Sequence, residues 1–352
     1  MRWVQSLGWL IAAMLTFAQA SYAGTEIPKV VVSVAPLKPY VDEILKGITT
    51  AQSLTRPGQD PHNFTLAPSQ GKMLDEVEIL IIPDHGLSPL LARLMKARPK
   101  VRIIELSTLA GADALPYAPE NPWIARVKLK GGEADDLFAA APTHKFKPYK
   151  SITGKLDAKP AVTPDATAAI DPHFWLDPER MAALAEPVAE AIAQFAPTQR
   201  EVLTANARTL AKHLRSDVIP PLQAMLKPSA GDDIVVTKPE IPFITYHAAY
   251  QYFLARFHIV PEGEITARPD EYLGAKTLDQ LLQAAKATKI RCIIGEQDTP
   301  MVRRIAALSQ ARIVLLSPEQ LVVGEDIPTY YWIQNDYDRL LYLTAKRFSE
   351  CL

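Results

Sequence analysis

The chain has little cysteine, no excess of either charge and, past its first two dozen residues, no long apolar run. Lys and Arg number 38 and Asp and Glu 39, for a formal net charge of -1. That balance gives no footing for a nucleic-acid or anionic-membrane partner. Sustained heptads and solenoid-like repeats are missing, which excludes coiled coils and repeat arrays. There is no His-Glu-x-x-His helix, Gly-x-Ser-x-Gly elbow or phosphate loop, so the common metalloprotease, hydrolase and nucleotide-binding signatures are absent.

The single long apolar run lies at the start. Met1-Arg2 supplies positive charge, Leu7 to Phe17 is apolar, and Ser21-Tyr22-Ala23 offers small residues for a peptidase, with Ala18-Gln19-Ala20 as a second choice. The run falls short of the about 20 residues a membrane span needs. It reads as a signal peptide cleaved near Ala23, with the mature chain exported and soluble. No cysteine near the cut offers a lipid anchor. Export gives Cys292 and Cys351 a meaning, because an oxidising compartment favours their pairing. Such a bridge ties the last helix to a late strand. Loop entropy values the closure at about 3–5 kcal/mol.

The 352 residues suffice for two ordinary domains, and the 30 prolines mark loops. Lys29 to Val34 is a β-branched run suited to a strand buried on both faces. Strands are expected at Ala51 to Thr55, Ile79 to Ile82 and Val101 to Leu106, with helices at Leu37 to Lys46, Ser69 to Glu76 and Leu87 to Lys96. Residues 111–170 break this alternation as a long insertion, made basic by Lys145, Lys147, Lys150 and Lys155. A helical region follows from Glu179 to Leu226, broken near Pro197 and interrupted or ended by Pro220-Pro221. A helix from Thr198 to Val218 reaches roughly 30 Å, enough to join two lobes. The second half returns to alternation. Strands are expected at Ile234 to Thr237, Phe243 to Tyr246, His258 to Val260, Arg291 to Ile294 and Arg312 to Leu316. Helices fit at Ala248 to Phe257, Ala275 to Ala287, Met301 to Gln310 and Ile333 to Phe348. The fold class is therefore α/β: two lobes of mostly parallel sheet flanked by helices, joined by a long connecting helix, with a site in the cleft. The domains run 1–23 (signal peptide), 24–178 (first lobe), 179–230 (connector) and 231–352 (second lobe).

Three histidines stand at or near strand ends or helix starts: His62 in Pro61-His62-Asn63-Phe64, His173 between two Asp-Pro steps, and His247 after Tyr246. Such ends face the cleft of an open α/β sheet. Three converging imidazoles would suit a borderline divalent cation at about 2.0–2.1 Å. Asp177 or Pro178 is placed to start the helix after His173.

These segments resemble the ligand motifs of the periplasmic zinc/manganese solute-binding proteins of ABC transporters. The resemblance covers nearly the whole mature chain. It rests on Val31-Val32-Ser33-Val34-Ala35-Pro36-Leu37, Asp60-Pro61-His62-Asn63-Phe64 with Pro68-Ser69, Asp171 to Pro178, and Thr245 to Phe253. Gly263-Glu264-Ile265 and the late cysteine pair resemble the zinc-binding branch. The resemblance implies metal ligands His62, His173 and His247, Zn(II) as the transported ligand, and a membrane permease with its cytoplasmic ATPase as partner. It implies a monomer and no enzymatic activity. His247 favours zinc, since hard manganese prefers a carboxylate there. Manganese or iron specificity and, further off, a zinc-dependent hydrolase stay as alternatives.

Three departures stand out. Leu316-Ser317-Pro318 occupies the place of an Asp that serves many relatives as fourth ligand, so that ligand is open among water, Asp60, Asp84, Glu264 and Glu296. The insertion has only His144 where zinc binders often carry a His-rich loop. Glu296-Gln297 replaces a usual Glu-Pro pair. Trp175 and Tyr250 are expected to pack around the site and orient ligands. His85, before Gly86 at a strand end, reads as a plain loop histidine, with lining the cleft as the alternative, and His144, His213 and His258 are surface or packing residues. Because imidazole binds metal only when neutral, affinity is expected to fall as pH drops through about 6–6.5.

Overall fold

The computed structural model describes residues 28–116, 170–226, 242–266, 273–319 and 327–352, apart from 64, 88–90, 92, 94, 95, 99 and 288. The signal segment, most of the 111–170 insertion with His144 and its lysines, and the strand expected over Ile234 to Thr237 lie outside the described residues.

Two parallel four-stranded sheets carry the molecule. The first contains β1 (Val30–Val32), β2 (Gln52–Ser53), β3 (Ile79–Ile82) and β4 (Arg102–Glu105) in the order β2-β1-β3-β4. The second contains β5 (Phe243–His247), β6 (Gly263–Thr266), β7 (Cys292–Gly295) and β8 (Arg312–Leu315) in the order β6-β5-β7-β8. The orders are equivalent, so each lobe reverses its winding beside its first strand. Loops at the carboxyl ends of the strands there form the usual binding crevice. The central strands β1 and β3 read Val-Val-Val and Ile-Leu-Ile-Ile because helices cover both faces and every side chain is buried.

Helices α1 (Leu37–Ile44) and α2 (Pro68–Glu76) belong to the first lobe, and α3 (Pro178–Ala193) follows the His173 segment. Pro178 opens α3, and the Asp177 carboxylate accepts from the Glu179 and Arg180 amides, which satisfies two of its orphan donors. The connector runs through α4 (Arg200–His213), a π turn at Leu214–Val218 and α5 (Ile219–Leu226). Of the two outcomes expected at Pro220-Pro221, an interruption or an end, the region is interrupted, by the π turn just before them, and does not end. They fall in the first turn of α5, directly after the π turn, where the hydrogen-bond ladder is already shifted and their missing N–H groups cost least.

The second lobe carries α6 (Gln251–Arg256), α7 (Ala275–Ala287), α8 (Pro300–Ser309) and α9 (Asp336–Ser349). Alternation along β7 divides its burden. Cys292 and Ile294 join a large core that includes Phe253, Phe348 and the first lobe, while Ile293 packs with Leu281, Val302 and Ile305 of α7 and α8. The large core is continuous through both lobes and the connector. Cys292 and Cys351 form the expected disulfide, with Cα atoms 5.6 Å apart. Several expected bounds shift. His258 to Val260 forms no strand, and His258 takes the left-handed φ of 56°. The helix expected from Ala248 begins at Gln251, and the last begins at Asp336, capped by the Asn335 side chain.

Candidate metal centre

The sequence Asp-Pro-His occurs twice and folds the same way twice. At Asp60-Pro61-His62, Oδ1 of Asp60 accepts the His62 amide at 2.8 Å. At Asp171-Pro172-His173, Oδ1 of Asp171 accepts the His173 amide at 3.0 Å. Each aspartate closes a local turn over a proline whose backbone is already fixed. His247 needs no such device, since it is the last residue of β5.

All three imidazoles are buried. Their ring centroids lie 5.1 Å (His62–His173), 5.2 Å (His173–His247) and 6.1 Å (His62–His247) apart. Nε2 of His62 is 3.1 Å from Nε2 of His173. One ligand atom from each ring lies within 4.8 Å of the other two. Tetrahedral ligands about 2.0–2.1 Å from a zinc ion sit roughly 3.3 Å apart, so the rings stand near the spacing a shared cation would impose. Nε2 of His247 is buried and has no hydrogen-bond partner. A buried nitrogen left this way is costly unless something outside the polypeptide engages it.

The far sides of the rings are held. Nδ1 of His173 lies 2.6 Å from Oδ1 of Asp171, whose other oxygen takes the Gln251 amide nitrogen. Nδ1 of His247 bonds the Glu296 carboxylate. Carboxylates at Nδ1 fix the tautomer that presents Nε2 to a metal. Electrostatics separate the two rings. Burial alone would lower the His173 pKa, but Asp171 and then Glu319 overcome it and raise it to about 9. Burial, with the His173 and His62 rings as neighbours, pushes His247 well below the ordinary imidazole range. At neutral pH the pair therefore carries one positive charge, on His173, while His247 stays neutral.

The carboxylate candidates fall elsewhere. Glu296 sits behind the His247 ring and cannot share its metal face. Asp84 belongs to a separate group with His85 and Glu105. Asp60 serves the turn, and Glu264 lies on β6. Among the described residues, the three-imidazole group contains no carboxylate. The sequence reading missed Glu319, whose Oε1 lies 3.7 Å from Nε2 of His173 and which is 4% exposed. It stands one residue past the Leu316-Ser317-Pro318 segment where an aspartate was looked for. The Trp175 indole donates to the Pro318 carbonyl at 3.0 Å, and the Tyr250 hydroxyl to that of Leu316 at 2.7 Å. Trp175 packs beside the His173 ring as expected, with centroids 5.1 Å apart, whereas the Tyr250 ring packs on Phe348; both orient the Glu319 segment through their hydrogen bonds. Of the two roles expected for His213, surface or packing, it takes packing: it is buried between Asp217 (3.1 Å) and Asp338 (3.0 Å).

Comparison with known proteins bears on this geometry. The sequence profile of the family described as "Zinc-uptake complex component A periplasmic" matches residues 30–340. A high-affinity zinc uptake system protein ZnuA from Brucella abortus (strain 2308) is 24% identical over 357 residues, covering 100% of this chain and 99% of the relative. Among solved folds, a crystal structure of ZnuA superposes with a TM-score of 0.64 at 21% identity, covering 93% of this chain and 99% of that one. The solute-binding protein FpvC of Pseudomonas aeruginosa, in complex with Mn2+, gives 0.62 at 17%, covering 92% and 97%. Two equivalent parallel sheets, three buried imidazoles and a profile match across most of the sequence converge: the chain belongs to the family of periplasmic A components of zinc-uptake complexes.

Proposed function

We propose that this chain captures Zn(II) through His62, His173 and His247 and delivers it to an ABC permease powered by a cytoplasmic ATPase. The observation that carries this reading is the convergence of three buried imidazoles, two of them backed by carboxylates, around an Nε2 of His247 that has no protein partner. Neutral imidazoles suit zinc, and a buried cage suits capture. Glu319 is the carboxylate best placed to complete four-coordination: its Oε1 moves onto the ion as the His173 proton leaves. Trp175 and Tyr250 hold the segment from which it reaches. The protein acts as a monomer of two lobes, 24–178 and 231–352, on the connector 179–230, after cleavage near Ala23, and it has no catalytic role.

Elemental analysis of purified mature protein, after equilibration with mixed zinc, manganese and iron, tests the reading. One tight equivalent of zinc, lost in the triple His62→Ala, His173→Ala, His247→Ala variant, is the expected result. Tight manganese or iron instead would keep the transporter class and move the specificity, a reading favoured by the hard oxygen of Glu319 and by the manganese-bound fold relative. Zinc retained by the triple variant at full affinity would overturn the site. Turnover of generic esters would favour the hydrolase alternative.

A further inference from the structure

A second group of metal-ligating side chains lies at the carboxyl end of the first lobe's sheet. Strands β3 and β4 pair with Ile82 opposite Glu105. Pro83-Asp84 continues from β3, and His85–Leu87 makes one 3₁₀ turn. Adjacent strand ends therefore bring Asp84, His85 and Glu105 together. One ligand atom from each lies within 4.8 Å of the others. Nδ1 of His85 is 2.7 Å from Oε1 of Glu105 and 3.9 Å from Oδ2 of Asp84.

Neighbouring groups hold the two carboxylates in place. Oδ1 of Asp84 accepts the Gly86 amide at 2.7 Å, and Oδ2 accepts the Ser107 hydroxyl at 2.8 Å. Oε1 of Glu105 accepts the His85 amide at 2.8 Å. Gly86 permits this packing, since a Cβ there would lie 2.9 Å from Oδ1 of Asp84. Access differs across the group: the Asp84 side chain is 4% exposed and that of Glu105 18%, while the imidazole is 67% exposed. An ion could thus reach the ring from solvent, meet two fixed anionic oxygens and keep water on its remaining positions. Ligands about 2.0–2.2 Å from a tetrahedral ion sit roughly 3.3 Å apart. Small opposite changes in the two His85 distances reach that spacing by rotation of an exposed ring.

We propose that Asp84, His85 and Glu105 form a second, solvent-open site for a divalent transition cation, weaker than the buried three-histidine site and independent of it. One nitrogen and two oxygens make a harder donor set than three imidazoles, so this site discriminates less between zinc and manganese.

Calorimetric titration of the metal-free mature protein with zinc chloride tests the assignment. Two equivalents are expected, one tight and one weak. His85→Ala and Glu105→Gln each abolish the weak equivalent and leave the tight one. Ser107→Ala, which removes a donor to Asp84, weakens the weak equivalent about tenfold or more. The weak equivalent survives in the triple His62→Ala, His173→Ala, His247→Ala variant, so failure of the buried site and failure of this one are read separately. A single equivalent in the native protein overturns the proposal. So does a weak equivalent that persists in His85→Ala, or one removed instead by His258→Ala. Unchanged circular dichroism of His85→Ala shows that loss of binding is not loss of fold.

Discussion

At the scale of single residues, the side chains behind the three imidazoles aim their nitrogens at one point and set which ring carries charge before metal arrives. Glu296 does part of this from behind His247. Glu296→Ala should weaken zinc binding about 10–100-fold without altering stoichiometry; competition against a chelator of known affinity checks it, and an unchanged affinity would sink the positioning role. His173 sets the pH response. Its pKa of about 9 in the metal-free protein means that a proton must leave as zinc enters. Binding at pH 7.5 should release about one proton, and affinity should rise with pH up to about 9, not level off just above 6.5. Calorimetry in buffers of different ionisation enthalpy reads the proton count; zero release would contradict a protonated His173. The histidines and their Asp-Pro frames were legible because each motif is local. Glu319 was not, since nothing beside it in sequence marks it. Tertiary contacts, among them the Trp175 and Tyr250 hydrogen bonds to Pro318 and Leu316, make that segment part of the site.

At the scale of elements, α9 is tied to β7 through the disulfide just past its end and to the connector through His213. The Cys292–Cys351 bridge closes a loop of 59 residues, which chain entropy values at about 4 kcal/mol. Cys292→Ala with Cys351→Ala should lower the unfolding free energy by up to that amount while zinc stoichiometry stays the same. Denaturant titration reads the loss, and equal midpoints for the two proteins would refute it. The second tie is His213 at the end of α4, between Asp217 and the buried Asp338 of α9. The hydrogen bond to Asp338 is the largest influence on its pKa, burial opposes it, and the Asp338 and Asp217 charges add, so the net shift is upward. A histidine raised on folding contributes stability that is complete below about 6.5 and is lost as pH rises through its folded midpoint. The His213 ring should titrate above about 6.5 by NMR, and unfolding stability should fall across that titration, less steeply in His213→Gln. A midpoint at or below 6.5 would remove the tie. Strand and helix order could be read from periodicity, because β1 and β3 are uniformly apolar and α3 has its cap in Asp177-Pro178. The π turn before Pro220 could not: proline chemistry alone forbids a helix there, and only the shifted ladder of a neighbouring turn lifts that rule.

At the scale of the whole molecule, contacts between the lobes constrain how the cargo enters. Asp177, which caps α3, also takes a two-pronged bond from Arg256 of α6 at 2.7 and 3.0 Å. Tyr252 donates to the Asp171 carbonyl at 2.8 Å, and Tyr337 to that of Trp175 at 2.7 Å. Beneath these lies a core continuous through both lobes. Opening by a wide hinge would break the bonds and wet that core. Exposing even 200 Å² of apolar surface costs about 5 kcal/mol, as much as the whole net stability of many domains. A cheaper route moves only the short segment that carries Glu319. That piece is pinned by Trp175 and Tyr250, and the Gly58 amide reaches the Glu319 carbonyl at 3.4 Å from the first lobe. Zinc should therefore leave the small-angle scattering profile essentially unchanged while slowing hydrogen exchange around residues 316–319 and in the 58–63 turn. A marked contraction on adding zinc would show that the lobes swing despite the shared core, and exchange unchanged in both segments would show that Glu319 does not follow the ion.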